Sequence, residues 1–84
     1  MLEILFSRLT KRFLKKSNKL IYNRLIKKIE TLSINPFPSD VKRVEGEKDK
    51  FFRVRVEDYR ILYEIDYEKK IILIERIDKR SRVY

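Results

Sequence analysis

The second half of the chain alternates apolar and polar positions in the way that β-strands do. The stretch from Phe51 to Arg60 reads FFRVRVEDYR, and a strand points successive side chains to opposite faces of its sheet. A hairpin that turns at Glu57 and Asp58 then pairs the two strands as follows: Val56 with Tyr59, Arg55 with Arg60, Val54 with Ile61 and Phe52 with Tyr63. One face of the hairpin is therefore predicted to be apolar, and the other to carry arginines.

The first half of the chain has the 3.6-residue spacing of amphipathic helices instead. Apolar residues at this spacing predict two helices, at 8–16 and 19–33. A short apolar run at 2–6 precedes them and suits a first strand. The two helices are expected to form an antiparallel hairpin.

Polar residues predict where these helices begin and end. Ser7 or Thr10 is a candidate cap for the first helix, and Ser17 with Asn18 suits a break followed by a new cap. Such side chains accept hydrogen bonds from the free amides of a first helical turn. Pro36 ends the helical half, because proline lacks an amide donor.

The remaining strands and turns complete an α+β fold with a single domain over 1–84. Its predicted architecture is an N-terminal strand and a helical hairpin that packs on one face of a largely antiparallel sheet of four or five strands. The predicted segments are strands at 41–44, 51–56, 59–65 and 70–77, a turn at 45–49, and a tail from Asp78 to Tyr84.

Composition excludes several classes of chemistry. The 84 residues include no cysteine, so no disulfide framework, thiolate metal site or cysteine nucleophile is present. They include no histidine, which is the commonest general base. The net charge of +9 favours an anionic partner such as nucleic acid, an acidic protein or an anionic membrane.

A membrane is the least favoured of these partners. The chain has no apolar run long enough to span a bilayer and no signal-peptide core after Met1. Basic flanks on the two helices are compatible with docking on a membrane surface, but their apolar stripes are needed to cover the sheet. We expect a soluble, cytoplasmic protein.

The facing arginines of the predicted hairpin require an electrostatic explanation. Arg55 lies opposite Arg60, and like charges across an antiparallel pair repel. An anionic, phosphate-bearing ligand between them is one explanation. The alternative is a solvated face on which Glu57 and Asp58 lie close enough to pair with the arginines.

Three segments resemble the RelE toxins of the RelE/ParE superfamily. They are KRVEG at 42–46, FRVRVEDYRILYEI at 52–65 and IDKRSRVY at 77–84. The most specific feature is DYRILYEI after an alternating basic strand, together with a basic tail that ends in Val-Tyr. In motif detail the resemblance covers about half of the chain, and in element order nearly all of it.

The resemblance implies the toxin of a type II toxin–antitoxin system, a ribosome-dependent endoribonuclease that cuts mRNA in the A site. Its expected partners are the ribosome, mRNA and an acidic, partly helical antitoxin similar to RelB. Neither a metal nor a cofactor is implied. Arg60, Arg80 and Tyr84 match the family's motif positions, while Arg53 and Arg55 fall where bacterial members often carry lysines.

The implied chemistry is attack of the 2′-OH on the adjacent phosphorus. Cations are needed for the charge of the phosphorane, and arginine suits that task because its paired donors match phosphate oxygens. Arg60 and Arg80 are the main expected cations, and Tyr84 is expected to stack on a base or to orient the 2′-OH. Arg55 is a further expected catalytic residue. The residues expected to bind substrate are Arg53, Lys79 and Arg82.

The general base stays open at this point. Arginine remains protonated in proteins and is a poor proton acceptor. Tyr84, Lys79, the turn carboxylates of Glu57 and Asp58, and ribosomal RNA are all candidates. Alternatively the reaction proceeds mainly by holding the 2′-OH in line.

Two other functions fit parts of the sequence. A ParE-like inhibitor of DNA gyrase shares the fold and lacks RNase chemistry. A non-catalytic module that binds RNA or the ribosome needs only the basic surface, and the missing base would be expected of it.

Overall fold

The computed structural model describes residues 1–44 and 51–79, which form two helices and one mixed sheet. In chain order the elements are β1 Glu3–Phe6, α1 Arg8–Lys16, α2 Lys19–Ile34, β2 Lys42–Val44, β3 Phe51–Val56, β4 Tyr59–Asp66 and β5 Ile71–Lys79. The strands lie in the order β1-β5-β4-β3-β2, and β1 runs parallel to β5 while the other pairs are antiparallel. The predicted α+β fold is confirmed. The predicted turn at 45–49 and the tail from Arg80 onward lie outside the described residues.

Both helices begin at the predicted caps. The Ser7 side chain accepts from the amide of Thr10, and the Asn18 side chain accepts from the amide of Ile21. Helix α1 has the predicted bounds, and α2 runs one residue further than predicted. Neither helix of this described part is long and apolar enough to cross a membrane.

One face of the sheet packs against the helices and forms the core. Tyr63 and Ile61 of β4 and Leu25 of α2 have no exposed surface. Burial of one such large apolar side chain contributes about 2 kcal/mol to stability. The rest of the buried cluster is Leu14, Ile29, Leu32, Val54, Ile72, Ile74 and Ile77.

The β3–β4 hairpin has the register predicted from alternation. Arg55 lies opposite Arg60, Val54 opposite Ile61, and the remaining predicted pairs are also present. Glu57, the first of the two turn residues, has φ 56°, as tight hairpin turns require. Its carboxylate also pairs with Arg24 of α2, which ties the turn to a helix.

Strand β5 contains a β-bulge at Glu75. Tyr63 of β4 pairs with Ile74, but Leu62, the next residue along β4, pairs with Arg76, so Glu75 is skipped. An extra residue reverses the alternation of every later side chain. Ile77 therefore enters the core beside Ile72 and Ile74, although it lies an odd number of residues from both.

The start of α1 holds this bulge in place. The Ser7 hydroxyl donates to the Glu75 carbonyl at 2.6 Å. The buried Thr10 hydroxyl and the Ser7 amide both donate to the Ile74 carbonyl, at 2.9 Å and 3.1 Å. These bonds satisfy carbonyls next to the interrupted ladder. The cap of α1 is thereby also the anchor of the bulge.

Replacing Ser7 is expected to destabilise the protein more than replacing the cap of the other helix. Asn18→Ala removes a cap alone and should cost about 1 kcal/mol. Ser7→Ala removes the equivalent cap and also the hydrogen bond to the bulge, so about 2 kcal/mol is expected. Urea unfolding of the two variants measures the difference. Equal losses of stability in the two variants would contradict the role of Ser7 as an anchor of the bulge.

Tyr63 lies in the core, as predicted, and donates its hydroxyl to the Pro36 carbonyl at 2.5 Å. Burial raises the pKa of the Tyr63 phenol well above its ordinary 10.0, and the negative charges of Asp40 and Tyr67 add to the shift. The folded state therefore favours the neutral phenol. This stabilisation is complete below the unfolded-state pKa and is lost as pH rises towards the higher folded-state pKa.

Tyr63→Phe should lower stability by about 1 kcal/mol near neutral pH, because the Pro36 carbonyl loses its donor. The gap between wild type and variant should shrink at about pH 11, above the ordinary phenol pKa. Urea unfolding at about pH 8 and about pH 11 tests this. Tyr22→Phe, at an exposed phenol on α2, is the control. If the difference in the free energy of unfolding between wild type and Tyr63→Phe is constant with pH, the phenol of Tyr63 does not have a raised pKa in the folded state.

Candidate functional site

Three predicted arginines share the sheet face that points away from the helices. Arg53 and Arg55 flank Val54, which is 1% exposed, and Arg60 precedes the fully buried Ile61. Because side chains alternate along a strand, the arginines lie on the opposite face. We call this the open face. Arg53 and Arg60 are half-buried there, while Arg55 is exposed.

An aspartate lies between two of the guanidinium groups of the open face. Arg60 Nε donates to Asp78 Oδ1 at 3.1 Å, and Arg76 Nε lies 3.5 Å from Asp78 Oδ2. The sequence prediction ended the strand at Ile77 and gave Asp78 to the tail. That boundary was wrong, since β5 continues to Lys79 and places Asp78 directly opposite Arg60.

Asp78 also changes the electrostatic explanation of the arginine face. Its carboxylate supplies an opposite charge next to Arg60, the residue that faces Arg55 across the strands. The sequence alternative assigned this role to Glu57 and Asp58, but Glu57 pairs with Arg24 instead. The Arg60 and Asp78 side chains are 36% and 37% exposed, so the pair contributes at most about 1 kcal/mol to stability.

The open face holds a small depression of about 150 Å³ around this pair. We call it the arginine depression. The guanidinium contacts to Asp78 use Nε, and a guanidinium carries four further N–H donors on its terminal nitrogens. Those donors match the paired oxygens of a phosphate. The lining residues are Val44, Arg53, Arg60, Leu62, Arg76 and Asp78.

A second depression extends the basic surface towards the edge of the sheet. It has a volume of about 460 Å³ and shares Arg53 with the arginine depression. Lys42 of β2 lies directly opposite Arg53, and Arg55 lies on the same side. Asp40 also lines it and pairs with Lys28 of α2 at 3.1 Å. An extended anionic chain that crosses both depressions could therefore contact cations on four strands, β2 to β5.

Of the remaining predicted site residues, Lys79 lies within the described ranges. Lys79 pairs with Tyr59 on the helix side of the sheet, so it does not join the open face. Arg80, Arg82 and Tyr84 lie outside the described residues. Within the described ranges 1–44 and 51–79, no cluster of three or more acidic side chains that could hold a metal is present.

Sequence reasoning missed Arg76 and Asp78. Strict alternation from Ile72 and Ile74 would place both on the helix side. The signal that could have found them is Ile77, because a large apolar side chain one residue out of phase requires a bulge to reach the core. With the bulge, Arg76 and Asp78 both face outward.

On the helix side, a groove of about 560 Å³ separates α1 from the ends of β4 and β5. We call it the helix groove. Tyr59 and Phe13 form part of its apolar floor with ring centroids 5.8 Å apart, so Tyr59 packs as the sequence predicts. Basic side chains surround that floor. The lining also includes Leu9, Arg12, Lys16, Ser17, Asn18, Ile21, Arg76, Ile77 and Lys79.

Residues 2–84 match the family model described as ParE toxin of type II toxin-antitoxin system, parDE. A named relative is the RelE1 toxin of Methanocaldococcus jannaschii, which is 39% identical over 59 residues. That match covers 67% of this chain and 64% of the relative, so the chain spans less than two thirds of the relative's length.

Solved structures of RelE toxins share the fold. The toxin of the archaeal RelE–RelB complex from Pyrococcus horikoshii OT3 matches with a TM-score of 0.82 and 27% identity, over 98% of both chains. The isolated Escherichia coli RelE toxin matches with a TM-score of 0.85 and 16% identity, over 99% of this chain and 88% of that one.

Proposed function

The chain belongs to the ParE family of toxins from type II toxin–antitoxin systems, and from its arginine depression and its RelE-named relatives we propose that it cuts mRNA in the ribosomal A site. It is a ribosome-dependent endoribonuclease that inhibits translation. It needs neither metal nor cofactor. Because it acts on ribosomes, it works in the cytoplasm.

The observation that carries this proposal is the arginine depression. Arg53, Arg60 and Arg76 come from three neighbouring strands and surround one small concavity. Paired guanidinium donors suit the oxygens of a phosphate and of the phosphorane that forms from it. Names of relatives support the same function, since the M. jannaschii relative and the matched P. horikoshii and E. coli structures are called RelE.

The proposed roles follow the positions of the side chains. Arg60 stabilises the phosphorane charge, with Arg55 beside it, and Arg53 binds the neighbouring phosphate. Arg80 and Tyr84 keep the roles that the family resemblance gives them, as a second catalytic cation and as the ring that stacks on a base. Arg82 binds substrate. Lys79 is not included, because it faces the helix groove.

The principal rival is inhibition of DNA gyrase, which the name of the family model favours. A gyrase inhibitor has no need of guanidinium groups that converge on one small depression. A non-catalytic RNA-binding module would use the same arginines without cutting.

Arg60→Ala should abolish cleavage of translated mRNA while the protein stays folded. The change removes a phosphorane cation, and loss of one such donor typically costs 100-fold or more in rate. Primer extension on ribosome-bound message measures the cuts, and circular dichroism checks the fold. Arg8→Ala, the same change at an exposed position on α1, is the control and should cut normally.

Each rival predicts a different result. Intact message together with inhibited supercoiling by purified gyrase would establish the ParE activity instead. Intact message with stalled translation would indicate the non-catalytic module. Cleavage by Arg60→Ala at the wild-type rate would remove Arg60 from the site.

We also propose that the partner antitoxin is acidic and partly helical, and that it covers the helix groove. Complexes with RelB are found among the matched structures, including the one from P. horikoshii. The groove has an apolar floor and a basic rim that includes Arg12, Lys16 and Lys79. An amphipathic helix with acidic flanks complements both, since its apolar stripe fills the floor and its carboxylates meet the rim.

Leu9→Glu should weaken antitoxin binding at least tenfold. Leu9 lines the groove and is 54% exposed, so the glutamate places a negative charge beneath an acidic partner with little effect on folding. Leu20→Glu, at a leucine of α2 that is 58% exposed and outside the groove lining, is the matched control. Calorimetry with the antitoxin that co-purifies from the native host gives both affinities. Equal affinities would place the antitoxin elsewhere.

A further inference from the structure

We propose that Asp78 is the general base of the cleavage reaction and accepts the proton of the attacking 2′-OH. This inference rests on the proposed endoribonuclease function. It supplies the group that the arginines lack, since a guanidinium does not give up its proton at physiological pH. No histidine exists in the chain to take that role.

The position of Asp78 is the first argument. Its carboxylate lies within the arginine depression, and each oxygen contacts one guanidinium through Nε. A phosphate bound by the terminal nitrogens of Arg60 and Arg76 is therefore adjacent to the carboxylate. The 2′-OH that attacks this phosphate comes from the preceding ribose, next to the phosphorus. The base and the phosphate cations thus occupy one site.

The capacity of the carboxylate is the second argument. An ionised aspartate has about four lone-pair positions on its two oxygens. The hydrogen bond from Arg60 occupies one position on Oδ1, and Arg76 forms an ion pair with Oδ2 at 3.5 Å. The remaining positions can accept a hydrogen bond from a ribose hydroxyl. The Asp78 side chain is 37% exposed, so substrate can reach it.

The surroundings of the carboxylate are the third argument. The lining residues of the depression are two apolar side chains, the guanidinium groups of Arg53, Arg60 and Arg76, and Asp78. Asp78 is the member of that lining that can take up a proton. Glu57 pairs with Arg24 of α2, and Lys79 points to the other face. Among the described residues that line the depression, the charged groups around Asp78 are three guanidinium groups, one each from β3, β4 and β5.

The 2′-OH proton moves to an Asp78 oxygen while the 2′-oxygen forms a bond to phosphorus. The bond between phosphorus and the 5′-oxygen then breaks, and the leaving 5′-oxygen takes a proton from water. The products are a 2′,3′-cyclic phosphate and a 5′-hydroxyl. Asp78 afterwards returns its proton to water.

The Nε contacts give Asp78 a second effect that must be separated from proton transfer. Asp78 orients Arg60 and Arg76, and loss of its charge would leave the depression more positive. Asp78→Asn keeps an oxygen that accepts from Arg60 Nε but cannot take a proton. Asp78→Glu keeps the base. The two variants therefore distinguish a catalytic residue from a positioning residue.

The test is single-turnover cleavage of ribosome-bound mRNA, with the rate and the half-saturating toxin concentration measured separately. Asp78→Asn should slow the chemical step at least 100-fold, the range typical of a lost general base. Its half-saturating concentration should stay equal or fall, because a negative charge near the phosphate is gone. Asp78→Glu should retain measurable cleavage above that of Asp78→Asn.

Glu64→Gln is the matched control. Glu64 lies on the open face of β4 opposite Leu73, away from the arginine depression, and its change removes the same charge. It should cleave at the wild-type rate. Thermal unfolding by circular dichroism checks that each variant is folded.

Added formate and acetate provide a measurement that does not depend on Asp78→Asn. In Asp78→Ala these carboxylates should restore part of the rate, and the more basic acetate should restore more at equal occupancy. Orientation of the arginines alone does not predict that order.

Three results would overturn the assignment. The first is cleavage by Asp78→Asn at the wild-type rate. The second is an equal loss of cleavage rate in Asp78→Asn and Glu64→Gln. The third is rescue of Asp78→Ala that does not follow the basicity of the added carboxylate. The proposed function survives each of them, provided that wild type cuts and Arg60→Ala does not. If the wild type cuts no ribosome-bound message, the proposed function and the base assignment fail together.

Discussion

The β-bulge at Glu75 is the constraint on which the rest of the molecule depends. Before it, Ile72 and Ile74 face the core; after it, Ile77 does. If the same residues formed a regular strand without the bulge, Arg76 and Asp78 would face the apolar layer beneath the helices, where unpaired charge costs several kcal/mol. One skipped residue thus places apolar side chains under the helices and charged ones on the open face. The hydroxyls at the start of α1 hold that arrangement.

Much of the fold could be predicted because its strongest signals are local. Strict alternation and a two-residue turn fixed the register of the β3–β4 hairpin, and Ser7 and Asn18 marked the helix starts. The end of β5 could not be read the same way. Asp78 and Lys79 have low strand propensity, and what keeps them in the strand is pairing with Arg60 and Tyr59, which are distant in sequence.

The residues of the candidate site also differ in how far local sequence signals predict them. The three arginines of the hairpin follow from alternation, whereas Arg76 and Asp78 depend on a change of phase that alternation hides. The charge of this site contributes little to stability, because its ion pairs are partly exposed. The backbone ladder and the core below hold the arginines in position. The protein can therefore carry clustered like charges on one face of the sheet, because packing on the other face stabilises the fold.

The separation of the charged open face from the packed helix side has a consequence for how such a toxin can evolve. Substitutions on the open face change the chemistry without disturbing side chains that pack under the helices. Insertion of a single residue between the bulge and Ile77 is a different kind of change, because without a second bulge it would exchange the two faces downstream of the insertion. Point substitutions on the open face can therefore change catalysis without unfolding the protein. An insertion in β5 after the bulge, in contrast, would turn charged side chains towards the core, so we expect selection to remove it.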